Sequence, residues 1–138
     1  MLENKVKILQ GKKSLNDLIK LFFGAQYLKS RIVLVLLSVS AVVNLLDWLA
    51  LVIFLRPPAG TVIILHYNVY FGVDLSGKVL RAYAVPFIGL SILIINFLLA
   101  GYFYQQRERI ASYVLLISAL VVQLSLLISI ISVIVVNY

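Results

Sequence analysis

IVLVLLSVSAVVNLLDWLALVIFL, residues 32–55, holds a single charged side chain, Asp47, in an otherwise apolar run. As a helix these roughly 24 residues reach about 36 Å, enough to cross a hydrocarbon core about 30 Å thick with some tilt. Valine and isoleucine recur through it and would favour strands in water. In lipid the backbone finds no outside hydrogen-bond partner, so the self-bonded helix is expected. The run ends at Arg56-Pro57-Pro58 instead of a small-residue cleavage site, which argues against a signal peptide.

Two further runs follow. Val85–Tyr104 reads as a second span, with Pro86 in its first turn, where a missing amide costs little. Ile110–Val136 reads as a third, joined to the second by Gln105–Arg109, a turn so short that the two helices form an antiparallel hairpin. The composition agrees: 63% of the 138 residues are apolar, against about 45–50% in soluble domains. The fold expected is therefore an all-α membrane protein of three transmembrane helices, at about 32–55, 85–104 and 110–136.

The net charge of +7 is unevenly placed. Lys5, Lys7, Lys12, Lys13, Lys20, Lys29 and Arg31 precede the first span, and Arg107 and Arg109 lie in the short turn. Arg56, Lys78 and Arg81 lie in the loop at 56–84. Because basic flanks stay cytoplasmic, the expected orientation has the amino terminus in and the carboxyl terminus out. The basic flank is read as a contact with anionic headgroups, and nucleic acid is not expected as a partner, since no recognition motif accompanies the charge. A multi-pass membrane protein follows from this reading.

Ahead of the first span, Ser14 and Asp17 make a capping box. Leu15, Leu18, Ile19, Phe22 and Phe23 then fall near one side at helical spacing, which predicts an amphipathic helix lying in the membrane plane. Residues 1–31 are thus a cytoplasmic basic segment with an interfacial helix, and 32–138 the three-helix membrane domain.

Polar residues inside the spans are costly, about 2.5–3.5 kcal/mol for an acid at the bilayer centre, so each requires a partner. Asn44, Asn96 and Gln123 sit near the middle of their own helices and are expected to bond one another, with Asp47 beside them, neutral or partnered by Arg56 or Trp48. Small residues supply close-packing stripes, Gly89, Asn96 and Ala100 on the second helix and Ser118, Ser125, Ser129 and Ser132 on the third, for the bundle or a second copy of the chain.

The long loop carries the densest polar and aromatic cluster, LHYNVYFGVDLSGK at 65–78. From Val62 to Asp74 its pattern has period two, which predicts an extended segment. Ile63, Leu65, Tyr67, Val69, Phe71, Val73 and Leu75 would face the bundle or headgroups, leaving His66, Asn68 and Asp74 on the other side. One histidine and no cysteine leave the usual zinc and thiol sites without ligands, so no metal, cofactor or catalytic residue is expected.

His66, Tyr67, Asn68, Gly72, Asp74, Gly77, Lys78 and Pro86 carry a resemblance. In their order, between two spanning helices, the loop resembles the small membrane domain of unknown function found in SdpI-type bacterial immunity proteins. Departures are Ile64 where that family usually has proline, Gly72 one residue late and Lys78 one early. The likeness covers about half the chain, from the first span into the second. It implies a multi-pass protein of the bacterial or archaeal cell (cytoplasmic) membrane and, in SdpI-type members, protection against a secreted toxin with signalling to a repressor. The function expected is accordingly non-enzymatic sensing or immunity through the outside loop, with His66, Asn68, Gly72, Asp74 and Lys78 as the residues binding an extracytoplasmic peptide or protein. The alternative is a small transporter or channel subunit working as an oligomer around Asp47, Asn44, Asn96 and Gln123.

Overall fold

A computed structural model describes residues 25–58 and 60–138. The predicted interfacial helix and Lys5, Lys7, Lys12, Lys13 and Lys20 lie outside the described residues. The elements are a short helix α1 (Ala25–Lys29), α2 (Arg31–Phe54), strands β1 (Val62–Asn68) and β2 (Gly72–Lys78), a single 3₁₀ turn (Val79–Arg81), α3 (Ala84–Gln105) and α4 (Arg109–Asn137). Three helices are long and apolar enough to cross a membrane. Their bounds fall within one residue of the apolar runs, because in lipid the helix ends where the apolar side chains end.

Each long helix buries one narrow stripe. In α2 it is Val33, Ser40, Val43, Asn44, Asp47 and Leu51; in α4 it is Ser112, Leu116, Ala119, Gln123, Ile130 and Val133. These steps of three, four and seven residues are those of knobs packed along a helix seam. On α3 the stripe is Pro86, Gly89, Leu93, Ala100 and Gly101, mostly small residues that let neighbouring helices approach. The third long helix, α4, is the central one, packing on both α2 and α3, which touch each other less. The other faces carry exposed Leu, Ile, Val and Phe along all three helices, an apolar jacket suited to lipid.

The expected serine stripe is not part of this packing. Ser118, Ser125, Ser129 and Ser132 all face outward, and Ser125 and Ser132 donate to carbonyls of their own helix, Val121 O at 2.9 Å and Ile128 O at 2.9 Å. A serine satisfied one turn back needs no neighbour, which is why its smallness did not decide the interface.

The chain is not all-α. The predicted single extended segment is an antiparallel hairpin, with Val62 opposite Lys78 and Asn68 opposite Gly72. A lone strand would leave its backbone groups unpaired, whereas folding back satisfies them. The reversal is made by Asn68, whose Oδ1 accepts the Tyr70 amide at 2.9 Å, and by Gly72, which takes φ of +82°. Only the base of the expected inward face is covered. Ile63 is buried with Leu51, Leu55, Ala82 and Ile130, and Leu65 packs on that cluster. Tyr67, Val73 and Leu75 are about half exposed, at 51%, 50% and 51%.

Candidate functional site

Polar chemistry gathers in two places, one inside the bundle and one on the hairpin. Inside, Asn44 Nδ2 donates to Pro86 O at 3.0 Å and to Gln123 Oε1 at 3.1 Å, while Gln123 Nε2 donates to Gly89 O at 2.7 Å. Three helices are thereby tied at one level, two by side chains and α3 by its backbone. Gly89 makes this reach feasible. With no side chain over its carbonyl, it leaves room for both amides to approach, and a Cβ there would stand 3.0 Å from Asn44 Nδ2.

Asn96 departs from the expected cluster. Its Nδ2 donates to Ile92 O of its own helix at 2.9 Å, so it is outside the network that Asn44 and Gln123 form. Equal distance along the helices misled here, because α3 begins lower in the bundle than α2 and α4 end. Its first two turns, not its middle, lie level with Asn44 and Gln123, as the bonds to Pro86 and Gly89 require.

Asp47 is one turn from Asn44 toward the hairpin end and is completely buried. Neither of its carboxylate oxygens has a hydrogen-bond partner, and Ser112 Oγ is likewise unpaired. Both expected partners are engaged elsewhere. Arg56 Nε donates to Val52 O at 3.0 Å, and Trp48 lies against Tyr83 with ring centres 6.0 Å apart. A buried acid without a partner is costly in a spanning helix.

On the hairpin, register irregularities fall between Ile64, His66 and Tyr67. They bring His66 and Asp74 side by side, Nδ1 to Oδ2 3.4 Å, with the side chains 64% and 40% exposed. Such an exposed pair orients its partners and is worth about 0–1 kcal/mol in stability. The other loop residues are dispersed. Asn68 and Gly72 shape the reversal at the far end, and Lys78 closes the base opposite Val62. Among the described residues no group of three or more His, Cys, Asp or Glu side chains is arranged to hold a metal.

What sequence reasoning missed is the fastening. Asn137 Oδ1 accepts the Ile64 amide at 2.8 Å, and its Nδ2 donates to Ile64 O at 2.6 Å and Val133 O at 2.8 Å. One side chain thus pairs with both backbone groups of a strand residue, as another strand would. Its signal was an amide closing an apolar helix. No family model, curated protein or solved structure matches the chain. The likeness to the SdpI-type domain therefore stands on the loop residues alone.

At the opposite end of the bundle, Tyr27 of α1 is buried and donates through its hydroxyl to Phe97 O at 3.0 Å. Its ring also lies 5.4 Å from that of Tyr104. Burial pushes its phenol well above the usual range.

Proposed function

We propose that this chain is a non-enzymatic protein of the prokaryotic cytoplasmic membrane, with its amino terminus inside, whose extracytoplasmic hairpin recognises a peptide or protein. The supporting observation is a hairpin fixed at its base and open beyond it. Ile63 and the Asn137 clasp hold the base rigid, while His66 and Asp74 stand paired and exposed on the far half. A polar pair on a preorganised strand surface lowers the ordering cost of binding, which favours recognition. The resemblance to SdpI-type immunity proteins points the same way, toward sensing or protection at this face. Lys29, the last residue of α1, and Arg31, the first of α2, fit a contact with anionic headgroups on the inner side.

The test is photocrosslinking from Ser76, exposed on β2, in native membranes, with mass spectrometry of the products. A specific extracytoplasmic peptide or protein is expected, and it should be lost when His66 and Asp74 are both changed to alanine in a variant that keeps its folded stability. Self-crosslinks alone would overturn the reading.

One observation favours a second reading, a small transporter or channel subunit. It is the buried Asp47 carboxylate, unpaired beside Asn44 and Gln123. Three helices enclose little space, so this reading needs an oligomer, and a strict monomer in lipid would remove it.

A further inference from the structure

Val69, Tyr70 and Phe71, at the hairpin tip, expose 85%, 91% and 83% of their surfaces. Three such side chains in a row call for a cover, and the course of the strand indicates which one. The Asn137 clasp holds Ile64 level with the end of α4. From there β1 continues beside the last turns of α4. Leu65, His66 and Tyr67 share a cavity of about 500 Å³ with Ser129, Ser132 and Val136, which lie eight, five and one residues before Asn137. The same cavity is bordered by Ile131 and Val135, on the outward, lipid-facing side of α4.

Depth follows from the helix. With Arg109 at one headgroup layer, a core about 30 Å thick takes roughly 20 residues of α4 and ends near Ser129 to Ser132. The strand beside these residues therefore runs through the other headgroup layer. The tip, two to four residues farther on at about 3.3 Å each, is within about 7–13 Å of that layer, close enough to reach the acyl boundary.

We propose that the hairpin is a wedge whose Val69–Phe71 tip is seated in the headgroup–acyl boundary of the bilayer that the three helices cross, beside the last turns of α4. Tyrosine is favoured at this depth, where its ring lies in an apolar layer and its hydroxyl meets water or phosphate, and valine and phenylalanine bury apolar area there. At the hairpin base, Lys78 and Arg81 bring positive charge to the phosphates. The wedge rests on the helices crossing a bilayer and not on recognition by the hairpin. It leaves His66 and Asp74 on the strands above the tip.

The chain has no cysteine, so Phe71→Cys carries a single environment-sensitive dye. The full-length labelled protein is reconstituted in vesicles of phosphatidylcholine and phosphatidylglycerol. Dye at position 71 is expected to emit to the blue of its position in water, to be quenched by nitroxide on the upper acyl chain, and to resist aqueous iodide. Dye on Thr61→Cys, at the hairpin base, should respond in the opposite sense. Tyr70→Cys serves if the first variant reconstitutes poorly. Quenching by iodide without nitroxide quenching would put the tip in water and overturn the wedge. Resistance to both quenchers would put it against protein and overturn the wedge equally.

Discussion

A methyl group at Gly89 would stand 2.8 Å from Leu126 Cδ1 and 2.9 Å from Gln123 Oε1, closer than real contacts allow. Gly89→Ala must therefore displace the ends of the Leu126 and Gln123 side chains, the second of them a member of the amide network, and we expect a loss of about 1–3 kcal/mol in unfolding titrations in mixed micelles. The amides themselves separate cleanly. Gln123→Leu removes bonds to two helices and should cost about 0.6–2 kcal/mol, whereas Asn96→Leu removes only a bond within its own helix and should be near neutral in the same assay. Asp47→Leu is expected to raise stability, since it deletes a buried acid without partners. A variant that is more stable yet inactive would place Asp47 in function, as strained sites often trade one for the other. Two of the three amides were legible as a pair from their mid-helix positions. The rest of the network was not, because its remaining acceptors are the backbone carbonyls of Pro86 and Gly89, which carry no side-chain signature.

Among the elements, the hairpin and α1 make the sharper predictions. Asn137→Ala strips both backbone groups of Ile64 of their partner, so the β1 amides near Ile64 should exchange with solvent faster while those of α4 stay protected. Partial burial of the strand makes a loss of about 1–3 kcal/mol reasonable for the docking itself. For α1 the sign runs with the phenol. Tyr27 is held protonated by the fold beyond its ordinary range, so docking of α1 is intact below about pH 10. Above it the unfolded phenol ionises first and stability falls, which tyrosine absorbance and protease cutting near Lys29 can follow together. The spans were legible almost to the residue because a long apolar run has one solution in lipid. The hairpin was half legible. Alternation announced extended backbone, but Val69 and Phe71 continued the apolar rhythm through the turn, hiding a reversal that Asn68 and Gly72 alone encode.

For the whole molecule, the placement of twelve basic residues predicts an orientation with the amino terminus inside. Membrane-impermeant maleimide should label Ser76→Cys in intact cells, and label a cysteine replacing Gln106 in the α3–α4 turn only after permeabilisation. The reverse pattern would invert the bundle. The Asn137 clasp also sets an order of events, because it joins positions 73 residues apart. Strand β1 emerges from the ribosome first, and at about 5–20 residues per second its fastener follows roughly 4–15 s later. Through that interval the hairpin exists without its lock, and it is fixed in place only once the third long helix has been threaded into the bilayer. Docking of the hairpin is thus a late signature of completed insertion, and a protease pulse during synthesis would see it close last.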